Sequence, residues 1–153
     1  YRLLADEGDL IMRSDRRKVT PYGLSDGLSG TPSWNIINRE TGQQLLPVCP
    51  MESVPMRYGD EFVHIQAGAG GFGNPLERSP EKVLTDVEND LITPDYARDV
   101  YGVIIRSGAV DLEETARQRV LLAQDASHQT TYLEHFYDTI GIPNPRYGIP
   151  QSS

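Results

Sequence analysis

The chain has 153 residues, a mass of 17.1 kDa and 14 Lys and Arg against 22 Asp and Glu, a net charge of −8. That is the size of one ordinary domain and the wrong charge balance for a generic nucleic-acid binder. Leu, Ile, Val and Phe make up about a quarter of the residues, above the range in which disorder is expected, so the chain should fold, alone or on a partner.

The predicted elements in chain order begin with turn-rich sequence. Residues 1–75 hold ten of the 14 glycines. Asp9-Leu10-Ile11-Met12-Arg13-Ser14, Trp34-Asn35-Ile36-Ile37-Asn38-Arg39 and Glu61-Phe62-Val63-His64-Ile65-Gln66-Ala67 are short runs bounded by Gly, Pro, Asp or Asn and read as β-strands. Glu40-Thr41-Gly42 connects the second run to Gln43-Gln44-Leu45-Leu46 as a hairpin, and Tyr58-Gly59-Asp60 is a further turn. Beyond Pro75 the punctuation becomes helical. Ser79-Pro80 and Thr93-Pro94 each place a capping hydroxyl before a proline at the first helical position, where a missing N–H costs nothing. Val83, Leu84, Val87 and Leu91 form the apolar stripe of the first helix; Ala97, Val100 and Tyr101 do so in the second, which Gly102 stops.

Val103-Ile104-Ile105-Arg106, Ser107-Gly108 and Ala109-Val110 read as a small hairpin. Asp111 with Glu114 is a capping box opening a third helix to about Gln124, with Leu112, Ala116, Val120 and Ala123 on its inner face. From Ala126, the aromatics Tyr132, Phe136, Tyr137 and Tyr147 among Pro143, Pro145 and Pro150 suggest an extended arm lying on a partner. The fold expected is therefore α+β: a β-rich Gly-loop region over 1–75, three helices and a hairpin over 76–125, and an extended Pro/Tyr arm over 126–153.

Chemistry is harder to place. Gly68-Ala69-Gly70-Gly71-Phe72-Gly73-Asn74-Pro75 leaves a strand and precedes a capped helix, so it is either a tight crossover or a place where backbone N–H groups meet a ligand or another chain. It is no Walker loop, because no Gly-Lys-Ser/Thr follows, and Pro75 and Pro80 break a dinucleotide fingerprint. A second cluster, from Pro21-Tyr22-Gly23-Leu24 to Gly27 and Gly30, follows the basic run Arg16-Arg17-Lys18, either an anion contact or a solvated edge. Ser25, Asp26 and His64 make no triad without a nucleophile elbow. His64 is read as a satisfied packing residue and Cys49 as buried and inert. The three histidines are too scattered for zinc spacing, and a single cysteine forms no internal disulfide. No run reaches the ~20 apolar residues of a membrane span, and no signal-peptide layout is seen, so a cytoplasmic location is expected.

The order of these pieces resembles the carboxyl-terminal part of the hydantoinase B and 5-oxoprolinase family, the B-type component of ATP-dependent hydantoinases, oxoprolinases and related ketone carboxylases. Four matches carry it, over about residues 10 to 125: Arg13-Ser14-Asp15-Arg16-Arg17 through Pro21-Tyr22-Gly23-Leu24 to Gly27 and Gly30; Gly59-Asp60; Gly71-Phe72-Gly73-Asn74-Pro75-Leu76-Glu77-Arg78 with Pro80-Glu81-Lys82-Val83 and Asp86-Val87; and Ala97-Arg98-Asp99-Val100-Tyr101-Gly102-Val103-Ile104. Ala69 and Asp26 stand where the family usually has glycine, and Asn74 where it usually has aspartate.

The resemblance implies a partner A-type subunit that uses ATP and Mg to phosphorylate a carbonyl or amide oxygen, and hydrolysis of a cyclic amide, or carboxylation of a ketone, near the B-type component. It implies a divalent metal held by the family's amino-terminal part and none in this chain. The chain would then be a detached, cleaved or separately encoded piece, in a hetero-oligomer and inactive alone. Gly68, Gly70, Gly71, Gly73 and Asn74, with Asp15 and Arg16, would contact substrate or an anion, and no catalytic residue is assigned. A noncatalytic assembly module is the reading from another class.

Overall fold

The structure is a computed structural model and describes residues 1–143. The chain divides into two compact units, one of residues Tyr1–Leu24 and Ser29–Gly71, the other of Ser25–Leu28 and residues from 72 onward.

The first unit is all β. Strand β1 (Glu7–Leu10) pairs antiparallel with β4 (Val54–Arg57), and β2 (Trp34–Ile37) lies between β3 (Gln44–Leu46) and β5 (Phe62–Ile65) in a three-stranded antiparallel sheet. β2 is buried at all four positions, which is why its sequence does not alternate. The hairpin turns form where their chemistry predicted: Thr41 and Gly42 N–H groups donate to the Asn38 carbonyl at 3.2 and 3.1 Å, and Gly59 sits at φ 88°, which a Cβ disfavours. Ile37, Leu46, Met56 and Phe62 form the core, with Leu3, Leu10, Met12 and Val54 packed on it. Two expectations change here. The first strand begins and ends earlier than Asp9 to Ser14, because the chain changes partner after Leu10: Ser14 N–H donates to the Val48 carbonyl at 2.8 Å. β4 is an additional strand, masked in the sequence by Pro55, which is tolerated because a strand in a two-stranded sheet has a free edge.

The second unit contains a 3₁₀ turn (Pro75–Glu77), α1 (Pro80–Glu88), α2 (Pro94–Tyr101), the hairpin β6 (Ile105–Arg106) and β7 (Ala109–Val110), α3 (Leu112–Gln124) and α4 (His128–Ile140). The caps are those read from sequence. Ser79, Thr93 and Asp111 accept from the N–H groups of Lys82, Tyr96 and Glu114, and Gly102 closes α2 in the left-handed region at φ 64°. Val83, Ala97 and Val103 form its core with Val87, Ile92 and Tyr101.

Two corrections concern its last helices. The predicted inner face of α3 is turned outward: Leu112 and Val120 are exposed, and Thr115 is the buried residue, its hydroxyl taking the Ile104 N–H at 3.0 Å. The expected extended arm is instead a fourth helix over 128–140. Every proline of that stretch lies beyond Ile140, and Tyr132, Phe136, Tyr137 and Ile140 recur at helical spacing. Tyr132, Tyr137, Ile140 and Ile142 are buried. Tyr147, Pro145 and Pro150 lie outside the described residues. Leu91, placed on the first helix's stripe, falls after its end and is exposed. Among the described residues no helix is long and apolar enough to cross a membrane.

Candidate functional site

The two glycine clusters meet within the first unit, backbone against backbone. A Cβ at Gly30 would lie 2.0 Å from the Gly68 carbonyl oxygen, one at Gly70 1.9 Å from the Tyr22 carbonyl oxygen, and one at Gly68 2.7 Å from Thr31 Oγ1. At Gly30 and Gly70 the obstacle is a backbone carbonyl, so no L side chain fits and that is the physical reason for these two glycines, whereas at Gly68 the nearest atom belongs to the Thr31 side chain. Hydrogen bonds fix the approach: Gly30 N–H to the Pro21 carbonyl at 2.8 Å, Leu24 N–H to the Gly71 carbonyl at 2.9 Å, and Gly68 N–H to the Thr31 carbonyl at 3.0 Å and Oγ1 at 3.1 Å.

Asp15 and Arg16 are tied to the residues leading into β2. Ser33 Oγ donates to the Asp15 carbonyl and Ser33 N–H to the Arg16 carbonyl at 3.2 Å, while Asp15 Oδ1 accepts the Arg16 N–H at 2.6 Å. Both side chains remain exposed, and Arg16 holds φ 67°. The adjoining Arg17 acts as a bolt: Nε and a terminal N–H donate to the carbonyls of Ser33 at 3.2 Å and Leu46 at 2.8 Å, and the guanidinium lies 4.4 Å over the Trp34 ring. Residues 31–33 thus serve both predicted segments, Thr31 holding Gly68 and Ser33 holding Asp15 and Arg16. Gly73 and Asn74 belong to the second unit. Gly73 has φ 82° with open space around it, and Asn74 caps the 3₁₀ turn by accepting the Leu76 N–H at 2.9 Å.

A polar chain crosses the three-stranded sheet beside these contacts. Asn35, fully buried, donates from Nδ2 to Ser14 Oγ at 2.8 Å and to the Pro47 carbonyl at 3.3 Å, and its Oδ1 meets His64 Nδ1 at 2.7 Å. His64 is therefore satisfied on one nitrogen, but it is exposed rather than packed in the interior, and Cys49 is also exposed rather than buried. Ser33 and Asn35 went unrecognised in sequence because their partners come from other strands; a polar Asn inside a run as apolar as Trp-Asn-Ile-Ile is the signal that marks such a residue.

Elsewhere in the first unit an apolar recess of about 420 Å³ is bordered by Leu3, Leu10, Met12, Met56 and Phe62. Asp60 is held below the ordinary carboxylate range, first by the Arg57 N–H and then by the Asn38 amide. In the second unit, Arg98 does the same to Asp99, with His135 adding to it, and burial pushes the Tyr96 hydroxyl up to about 12. Among the described residues no three His, Cys, Asp or Glu side chains converge as metal ligands, so no step through a metal is assigned to this chain.

Two compact units and a glycine-lined crossover inside the first of them are the features that comparison with known proteins can place. Residues 1–75 match the family model described as hydantoinase B/oxoprolinase. The chain is 36% identical over 118 residues to the candidate B-type subunit of a D-/L-hydantoinase from Pseudomonas sp. (strain NS671), covering 76% of this chain and 20% of that protein. It is 35% identical over 71 residues to the acetone carboxylase alpha subunit of Xanthobacter autotrophicus, 43% of this chain and 9% of that one. Its fold resembles the crystal structure of the ATP-dependent caprolactamase from Pseudomonas jessenii, with a TM-score of 0.59 and 21% identity over 76% of this chain and 21% of that chain. The chain belongs to the hydantoinase B/oxoprolinase family, and it spans a fifth or less of the length of the hydantoinase and carboxylase relatives.

Proposed function

We propose that the chain is the carboxyl-terminal portion of the B-type component of an ATP-dependent hydantoinase or 5-oxoprolinase kind of enzyme, which opens a cyclic amide. The observation that carries this reading is the 36% identity over 118 residues to the B-type component of a hydantoinase. A partner A-type subunit uses ATP with Mg to phosphorylate the amide oxygen. An amide oxygen is a poor leaving group until phosphorylated, and the charge that develops on hydrolysis needs fixed donors around it. The exposed Gly71, Asp15 and Arg16 are the parts of the predicted contact set open to a ligand or partner, with Gly73 and Asn74 shaping the next turn. Gly68 and Gly70 serve by letting the crossover close. The chain alone is inert, and it works in a hetero-oligomer in the cytoplasm.

The similarity to an acetone carboxylase alpha subunit supports a second reading, ATP-dependent carboxylation of a ketone in the same kind of complex. The experiment is ATP turnover by the complete enzyme, with hydantoin or 5-oxoproline in one arm and acetone with bicarbonate in the other. Turnover in the first arm alone is expected; turnover only in the second replaces the reading with the carboxylase. Full activity of the complex after deletion of this chain would make it a noncatalytic assembly module, and turnover by the isolated 153-residue chain would overturn its dependence on partners.

A further inference from the structure

Of the histidines among the described residues, two engage Nε2 inside the fold: His128 Nε2 meets the Val100 carbonyl at 2.9 Å and His135 Nε2 meets Asp99 Oδ2 at 3.1 Å. His64 is connected the other way, through Nδ1 at 2.7 Å from Asn35 Oδ1. The direction of that bond follows from the rest of the polar chain. The Pro47 carbonyl can only accept, so the atom of Asn35 facing it at 3.3 Å must be the donor Nδ2. Ser14 Oγ gives its own hydrogen to the Val48 carbonyl at 3.1 Å and has lone pairs for the second Nδ2 hydrogen at 2.8 Å. Oδ1 is left facing His64, and it too can only accept. Nδ1 therefore carries the hydrogen of the neutral ring, and Nε2 is a bare lone pair.

The rest of the surroundings hold that nitrogen in place. Asn35 is 0% exposed and cannot swing away, and the His64 ring stacks on Phe62 with centroids 6.3 Å apart at 18°. The ring itself is exposed, and Nε2 has no partner among the described residues. A fixed, outward-facing acceptor on a rigid sheet is suited to a ligand that carries a hydrogen-bond donor.

We propose that His64 Nε2 is a binding site for the N–H group of an amide ligand, with Asn35 and Ser14 as its positioning residues. The amide as ligand rests on the functional reading above; the fixed tautomer does not.

Long-range ¹H–¹⁵N NMR of the full 153-residue chain at neutral pH should show His64 as the Nδ1–H form, with His128 and His135 distinct from it. An Nε2–H form, or an even average of the two tautomers, overturns the proposal. In the complete enzyme, His64→Phe should raise KM for hydantoin about ten-fold, the worth of one hydrogen bond, with little change in kcat. His64→Gln, which returns an acceptor near the Nε2 position, should recover most of that loss. A wild-type enzyme that opens hydantoin while His64→Phe keeps its KM overturns this site and leaves the functional reading standing. A wild-type enzyme with no cyclic-amide turnover overturns the functional reading, and the amide as ligand with it.

Discussion

The first unit closes through contacts between backbone segments far apart in sequence, while the polar features that set the second are mostly local. Gly30 lies against Gly68 and Gly70 against Tyr22, and the hydrogen bonds at Ser33 and Asn35 draw on residues 14–17, 47 and 64. In the second unit the caps bond two or three residues ahead, and Gly102 ends α2 within its own turn. The contrast shows where glycine is irreplaceable: a neighbouring carbonyl cannot move aside, whereas the end of a flexible side chain can.

The largest effect should come from removing the part of the second unit that is not local. Truncation after Asp125 deletes Tyr132, Tyr137, Ile140 and Ile142, all buried. At ~1.5–3 kcal/mol per side chain the loss exceeds about 6 kcal/mol, comparable with the whole stability of a domain. Thermal unfolding followed by circular dichroism should show loss of helix from α1 to α3 as well; an unchanged transition would mean that α4 contributes nothing to that core.

Gly70→Val tests the first unit. Its Cβ would fall 1.9 Å from a backbone oxygen, so the crossover must open, at about 3 kcal/mol or more in urea unfolding. The counterpart in the second unit is Gly102→Ala, where the obstacle is Arg119 Cγ at 2.8 Å and the backbone sits at φ 64°. The stem of Arg119, whose guanidinium is held by the Tyr101 and Arg78 carbonyls, must give way on top of the left-handed strain of about 1–2 kcal/mol, but no backbone carbonyl stands in the way. If the two substitutions cost the same, the contrast between the units fails.

The smallest effect concerns charge. Asp99 joins α2 to His135 of α4 at 3.1 Å and has its pKa lowered, chiefly by the Arg98 guanidinium. A depressed carboxylate contributes stability above its unfolded pKa and loses it as pH falls through the folded one. Asp99→Asn should therefore leave a chain slightly less stable at neutral pH, with the difference from wild type vanishing in acid below the ordinary aspartate range. Urea unfolding at a series of pH values reads this directly, and a difference that persists undiminished in acid would show that the carboxylate charge is not what matters.

Local chemistry was legible in the sequence. Ser79, Thr93 and Asp111 cap helices wherever the chain goes, because their oxygens reach N–H groups two or three residues ahead, and Gly102 ends a helix because it alone bears a positive φ cheaply. The hairpin at 40–42 and the family motifs belong to the same class of short-range information. Tertiary structure decided what depended on a distant partner. Pro55 concealed β4 until β1 was there to pair with it. Leu112 and Val120 form a regular stripe, yet Thr115 faces inward, because periodicity shows that a helix has an apolar side and not which side the neighbours occupy. The aromatics at 132–140 looked like an arm for another protein because of the prolines after them, but they close the unit's own core. The glycines at 68 and 70 revealed their purpose only when Thr31 and Tyr22 were found beside them, and His64 its orientation only through Asn35, a residue 29 positions away on the neighbouring strand.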